Sequence, residues 1–172
     1  MKQHLRAVVC VFATGASLGA AASPAAGCAA LSGTFSVVGV ERDLQTGTTR
    51  QITMNDRLAV KGVAGHSFAF RANADGSGYT ISVLDPAGAE LHHAVATNPA
   101  FKCEAGRLTR SAHIEATGDG NPTKNDSVLK VYIDGNELVF EVWRRTESTR
   151  WIAPPPVRIV HTETRYSALP AQ

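Results

Sequence analysis

The sequence predicts an all-β fold, an antiparallel meander of about eight to ten short strands. The clearest indication is the stretch 124–143, in which two alternating apolar and polar runs flank Asp134-Gly135, a dipeptide typical of hairpin turns. Short segments with the same two-residue period recur between turns rich in Gly, Asp and Pro. The sequence shows no helical period long enough to compete with these strands.

The predicted hairpin has a definite register. A two-residue loop at Asp134-Gly135 places Val131 opposite Leu138 and Leu129 opposite Phe140. These apolar residues share one face, and the other face is largely charged. A slip by one residue would exchange the two faces, so the pattern favours a sheet with one buried side.

The other strands follow in order along the chain. The sequence predicts strands at 36–41, 50–54, 57–61, 66–72, 79–83, 90–96, 100–103, 107–115 and 157–166. Asn55-Asp56 and Asp85-Pro86-Ala87-Gly88 are predicted turns, and 117–124 and 144–150 are predicted loops. Because every connection is short and a long twisted sheet tends to close its edges, we expect an up-and-down barrel or a strongly curled sheet. A two-sheet sandwich is the second choice.

The first residues have the composition of an export signal. Lys2 and Arg6 precede an uncharged run from 7 to 22, which is too short and too rich in Ala and Gly for a membrane span. Cleavage after Ala22 would make residues 1–22 the signal peptide, and a lipoprotein-type site before Cys28 would extend it to 27. The mature chain is then one β domain at 28–167 with a loose tail at 168–172.

Cys28 and Cys103 are the cysteines that remain in the mature chain. Two cysteines in an exported protein indicate one disulfide. Acylation of Cys28 would instead anchor the chain to the outer membrane and leave Cys103 as a free thiol. Both fates are open at this point, and both place the protein outside the cytoplasm: periplasmic, secreted or lipid-anchored.

The charge of the mature chain is balanced. The full sequence has 17 basic and 15 acidic residues, and removal of Lys2 and Arg6 leaves 15 of each. A neutral chain lacks the positive footprint that nucleic acid requires. It also lacks the basic excess that holds proteins on anionic membranes, so a membrane contact is expected only through a lipid on Cys28.

Two short segments carry a family resemblance. The run Cys28-Ala-Ala-Leu-Ser-Gly-Thr-Phe35 and the later run Phe101-Lys-Cys-Glu-Ala-Gly-Arg-Leu108 resemble small uncharacterised bacterial envelope proteins with a lipoprotein-type start. The resemblance implies an exported, all-β protein that depends on its cysteines, and it implies no catalytic residues. The segment 31–35 is also similar to the opening of lipocalin-like barrels, an analogy at the level of the fold.

The sequence contains no motif for catalysis or for a cofactor. His92 and His93 are neighbours on a strand and point to opposite faces, and the sequence has no HxxxH, HExxH or CxxC spacing. No serine lies in a GxSxG turn. We therefore predict no metal and no cofactor. A small periplasmic hydrolase or metalloenzyme would have to use His93, His113 or His161.

The segment 143–151 is the strongest candidate for a binding surface. Two tryptophans bracket three arginines, and these residue types dominate interface hot spots; they are Trp143, Arg144, Arg145, Arg150 and Trp151. The expected function is therefore a non-catalytic envelope protein with a binding or structural role, and the expected partner is an envelope protein. The alternative is a lipocalin-like carrier that holds a small apolar ligand in an unfilled interior.

Overall fold

The computed structural model describes residues 27–98, 100–118, 121–148 and 157–170. Eleven strands occupy most of these residues and form two antiparallel sheets. The all-β antiparallel class is therefore confirmed, with slightly more strands than the predicted eight to ten. Residues 1–26, which contain nearly all of the proposed signal peptide, lie outside the described part.

The smaller sheet has four strands and the larger sheet has seven. In chain order the elements are a 3-10 turn at Cys28–Ala30, β1 Ser32–Ser36, β2 Val38–Asp43, β3 Thr49–Thr53, helix α1 Met54–Leu58, β4 Ser67–Ala72, β5 Gly78–Leu84, β6 Glu90–Thr97, β7 Phe101–Glu104, β8 Arg107–Gly118, β9 Asn121–Asp134, β10 Glu137–Ser148 and β11 Val157–Ser167. The strand order is β1-β4-β5-β6 in the smaller sheet and β3-β2-β11-β10-β9-β8-β7 in the larger one.

One extended segment belongs to both sheets. Only Val37 separates β1, which pairs with β4, from β2, which pairs with β3 and β11. A bridge between Phe35 and Ala168 adds a second link on this side. On the opposite side, no ladder joins β6 to β7 among the described residues, and no closed barrel forms there. The sheets instead pack face to face, which is the second of the predicted arrangements.

Aromatic rings fill the space between the sheets. Phe68 of the smaller sheet meets Tyr166 of the larger one with 5.1 Å between ring centroids, and Phe70 meets Phe140 at 6.0 Å. All four side chains are fully or almost fully buried. A carrier barrel needs an open interior, whereas these rings occupy the middle of the molecule and hold the sheets as two layers.

The central hairpin forms, but the predicted register is wrong by two positions. Val131 lies opposite Phe140 instead of Leu138, and Leu138 lies opposite Ile133. A shift of two positions leaves every side chain on its predicted face, because side chains alternate with a period of two. Val131, Leu138 and Phe140 are accordingly buried together in the core.

The turn explains the shift. Asp134 extends the ladder and pairs with Glu137, so the two loop residues are Gly135, at φ +62°, and Asn136. Arg165 of β11 donates hydrogen bonds to both flanking carboxylates, at 2.8 Å to Asp134 and 3.1 Å to Glu137. The guanidinium of Arg165 therefore stabilises the pairing of Asp134 with Glu137, although the sequence pattern had assigned Asp134 to the turn.

A short helix replaces the predicted turn at Asn55-Asp56 and the strand predicted at 57–61. Thr53 and Asp56 form a capping box: each side chain accepts a hydrogen bond from the backbone N–H of the other residue. This local pattern starts helix α1, which the alternating apolar residues concealed. Neither helical segment of the described ranges is long and apolar enough to cross a membrane.

Two predicted loops are mostly strand. β8 runs to Gly118 and β9 begins at Asn121, and β10 continues to Ser148. Backbone pairing, which polar residues support as well as apolar ones, extends both hairpins past the core. The start of the 168–172 segment, expected as a loose tail, is hydrogen-bonded: Ala168 donates to the Asn136 carbonyl at 2.8 Å and Leu169 to the Thr34 carbonyl at 2.9 Å.

Candidate functional site

Cys28 and Cys103 lie at disulfide distance, with their Cα atoms 5.7 Å apart. Cys28 is fully buried in the turn before β1, and Cys103 belongs to β7 at the edge of the larger sheet. The pair therefore connects the start of the smaller sheet to the free edge of the larger one. A disulfide between these two sulfurs would leave Cys28 unavailable for acylation.

The predicted Trp/Arg segment is a strand where the structure describes it, and its side chains do not share one surface. Trp143 and Arg145 lie on the outer face of the larger sheet, and Arg144 lies on the inner face. The predicted excursion at 144–150 is thus corrected as far as residue 148. Arg150 and Trp151 lie outside the described residues.

The outer face around Trp143 is apolar. Val128 of β9 and His161 of β11 are its cross-strand neighbours. Ile159 and Val157 are the next two residues of β11 on the same face. Ile159 and Val157 are 41% and 47% exposed, high values for aliphatic side chains on a sheet. We call these five residues the outer patch. A depression of about 240 Å³ lies beside Trp143 and is lined mainly by apolar surface.

Charged groups border the outer patch at both ends. Arg145 and Glu147, paired at 3.1 Å, lie opposite Ile159 and Val157, and Glu141 lies beyond Trp143. Glu141 accepts hydrogen bonds from Lys130 and His161, each at 3.1 Å. Burial alone would raise the pKa of Glu141, but the two hydrogen bonds outweigh it and hold that pKa below its ordinary value. The carboxylate therefore stays charged and keeps both partners in place beside the indole.

The inner face of the larger sheet continues past the aromatic core into a second concavity. Val142 and Arg144 follow Phe140 on this face of β10, and α1 contributes Arg57. The resulting space of about 290 Å³ is the arginine cleft, lined by Glu41, Arg50, Ile52, Arg57, Val142, Arg144, Val160 and Thr162. It gathers three arginines and one acid from four elements, β2, β3, α1 and β10.

Arg50 and Arg57 are not among the site residues that the sequence predicts. Their place in the arginine cleft depends on the order β3-β2-β11-β10, which brings Arg50 and Arg144 onto one face from positions 94 residues apart, 144 minus 50. No local motif signals such a pairing. The only available signal was the alternation of Arg50 with Ile52, which the pattern assigned to an ordinary strand.

The three histidines named for catalysis have separate surroundings. His161 contacts Glu141 on the outer face of the larger sheet, and His113, on β8, contacts Asp126 and Glu115. His93 lies on β6 of the smaller sheet. Within the described ranges, His, Cys, Asp and Glu side chains form no group of three suited to a metal ion.

Ser82, His93 and Glu90 form a contact that has the residue types of a hydrolase triad but not its geometry. The Ser82 hydroxyl lies 3.1 Å from His93 Nδ1, and the Glu90 carboxylate lies 3.4 Å from the same nitrogen. A catalytic base uses one ring nitrogen for the nucleophile and the other for the acid. Here serine and acid compete for one nitrogen, so the arrangement does not activate the hydroxyl.

The pKa of His113 provides a test of the hydrogen bonds that its imidazole makes with Asp126 and Glu115. Its hydrogen bond to Asp126, at 2.6 Å, and a second to Glu115 raise the pKa of the imidazole above the ordinary 6.5. Because the folded-state pKa is raised, this stabilisation is fully present below about pH 6.5 and is lost as the pH rises through the higher folded value. An NMR titration should show His113 deprotonating above its ordinary pKa, and Asp126→Asn should lower the midpoint.

Asp134→Asn is the matched control for this titration, because Asp134 pairs with Arg165 at the other end of the hairpin. It should leave the His113 midpoint unchanged. An imidazole that titrates at about 6.5 or below in the unaltered protein would contradict the ion pair.

Comparison of the chain with protein-family models, curated proteins and solved structures gives no match. The resemblance of segments 28–35 and 101–108 to small envelope proteins therefore stays a prediction. The function of the chain has to be inferred from the geometry of the two faces of its larger sheet.

Proposed function

We propose that the chain is an exported, non-catalytic protein of the cell envelope that binds a partner protein through the outer patch. The observation that carries this proposal is the position of Trp143 among exposed Val157 and Ile159 on a solvent-facing sheet. Aromatic residues surrounded by aliphatic side chains and bordered by charges are the usual centre of a protein interface.

Export is supported by the residues and by the cysteine pair. The segment 1–22 has the charge and composition of a signal peptide, and a disulfide persists in oxidising compartments outside the cytoplasm. Cys28 and Cys103, placed at disulfide distance, are compatible with that location. The resemblance to small envelope proteins points the same way.

A protein partner suits the outer patch better than a small apolar ligand. The depression beside Trp143 holds about 240 Å³, less than the roughly 300–1,000 Å³ of ordinary small-molecule sites. The exposed aliphatic side chains of β11 extend the apolar surface past the depression, as a protein interface requires. Arg145, on the same face, adds a residue type enriched at interfaces.

The proposal is tested by photo-crosslinking in cells that express the chain. A photoreactive residue replaces Ile159 in the outer patch, and a matched variant carries it at Val95, an exposed apolar position on β6 of the smaller sheet. We expect a discrete adduct from position 159 and none of the same mass from 95. Trp143→Ala should reduce that adduct by about tenfold or more, the effect of losing a hot-spot tryptophan.

Equal adducts from positions 159 and 95, or an adduct that persists in Trp143→Ala, would overturn the binding role of the outer patch. Export is tested separately in the same cells by fractionation and N-terminal sequencing. A mature chain that begins at Ser23 or Cys28 outside the cytoplasm supports it, and a cytoplasmic chain that retains Met1 refutes it.

A further inference from the structure

The arginine cleft lies on the face of the larger sheet opposite to the outer patch. Its floor is formed by Val142 of β10 and Val160 of β11, with Ile52 of β3 beside them. These side chains are only partly buried, because the buried aromatic layer on this face of β10 ends at Phe140 and does not reach Val142. Apolar surface is therefore accessible at the bottom of a small concavity.

Positive charge dominates the rim of the cleft. Arg50 is paired with Glu41, its Nε lying 2.7 Å from the carboxylate. Neither Arg57 nor Arg144 takes part in a salt bridge within the described part of the chain. Three arginines and one glutamate give the lining a formal charge of +2, 3 minus 1.

Nearby acids are committed elsewhere. Asp56 beside Arg57 caps helix α1 through Thr53, and Asp43 at the end of β2 accepts backbone hydrogen bonds from Gln45 and Thr46. In sequence, the segments outside the described ranges add only one further acidic side chain, Asp119. The chain thus offers few carboxylates that could neutralise the two remaining arginines.

Arg57 carries a second indication. Its guanidinium lies 4.7 Å from the centroid of the Phe140 ring and donates a hydrogen bond to the Thr164 hydroxyl, and these contacts orient it at the cleft. Its Nε is buried and has no hydrogen-bond partner among the described residues. The Nε is closed to the cleft, so an anion there would bind the rest of the guanidinium, which the Phe140 ring and the Thr164 hydroxyl hold in place.

We propose that the arginine cleft binds a small organic anion, one carboxylate or phosphate group on a compact apolar body. Arg57 and Arg144 bind the charged group, and Ile52, Val142 and Val160 contact the apolar part. The volume of about 290 Å³ lies at the lower end for ligand sites and sets the size of the body at a few carbon atoms.

Calorimetric titration of the full mature chain with pentanoate and with pentyl phosphate tests this inference, and 1-pentanol serves as the uncharged probe. We expect saturable binding of at least one anion and none of the alcohol over the same concentration range. The comparison of the two anions tells a carboxylate site from a phosphate site. Raised salt should weaken the binding, because the contact is between charges.

Adjacent arginines provide a matched pair of variants. Arg144→Gln removes a charge from the cleft, and Arg145→Gln removes one from the opposite face of the same strand. Arg144→Gln should weaken anion binding by about tenfold, the scale of one charge-assisted hydrogen bond, and Arg145→Gln should leave it unchanged. Neither side chain is buried, and circular dichroism shows whether each variant folds.

The inference is overturned if neither anion saturates, if pentanol binds as well as the anion that does, or if the two glutamine variants bind that anion equally. These outcomes are independent of the proposed partner binding. Trp143→Ala should reduce the crosslink but leave anion binding intact, because Trp143 and the cleft lie on opposite faces of the sheet.

Discussion

Loss of the Cys28–Cys103 link is expected to lower the free energy of unfolding by about 4.5 kcal/mol. The two residues are 75 positions apart, and the link removes the freedom of that long loop from the unfolded chain. A domain of this size is stable by about 5–15 kcal/mol, so the loss is a large fraction of the total. Urea unfolding of the oxidised protein and of the double variant Cys28→Ser/Cys103→Ser measures the difference.

Reductant provides the control for the double substitution. A reductant should destabilise the unaltered protein as much as the double substitution does, and it should not affect the double variant. Intact mass provides an independent reading, because the linked protein is lighter than the reduced one by two hydrogen atoms. A mature chain that is heavier by an acyl group at Cys28 would contradict the Cys28–Cys103 disulfide. So would a mature chain whose free energy of unfolding is unchanged by reductant.

The sequence predicted the strands well where one face is buried. The hairpin at 124–143 formed on its predicted faces because Val131, Leu138 and Phe140 must all reach the core. The register differs from the prediction because the two loop residues are Gly135 and Asn136, and Arg165, distant in sequence, binds the carboxylates on both sides of that loop. The pattern within a hairpin cannot report a cation supplied by another strand.

The choice between barrel and sandwich also depended on distant contacts. Gly39 of β2 lies so close to β11 that a Cβ there would be 2.6 Å from the Arg165 carbonyl oxygen and 2.7 Å from the Tyr166 ring. This approach, together with the change of sheet at Val37, determines how the chain curls. The sequence shows a glycine in a strand but not the ring that requires it.

The candidate site was predictable only in part. The preference for Trp and Arg at interfaces selected Trp143, which lies on the outer face of the larger sheet, but it grouped Arg144 with it. Once the segment is a strand, alternation separates the two, and Arg144 joins Arg57 in the cleft. The two faces therefore acquire different chemistry from neighbouring residues, which composition alone could not show.

Phe140→Ala is expected to lower the free energy of unfolding by about 4 kcal/mol. The Phe140 ring is 1% exposed and contacts rings from both sheets, with Phe70 and Tyr166 at 6.0 Å and Tyr79 at 6.1 Å between centroids. Its removal leaves a cavity between two layers that cannot both collapse into it, and it deprives Arg57 of the surface on which the guanidinium rests. Urea unfolding followed by tryptophan fluorescence measures the loss.

Two further variants distinguish the loss of the aromatic ring from the loss of any apolar side chain on this face of β10. Phe140→Leu retains apolar volume and should lower the free energy of unfolding by about 1.5 kcal/mol. Val142→Ala, two residues along the same face but at the partly exposed cleft, should lower it by about 1 kcal/mol. If Phe140→Ala were no more damaging than Val142→Ala, the aromatic layer would not be what holds the sheets together. The Cys28–Cys103 disulfide restricts the unfolded chain, whereas the aromatic layer stabilises the folded one, so their contributions to the free energy of unfolding should add. A variant that lacks both the disulfide and the Phe140 ring should therefore have little stability left.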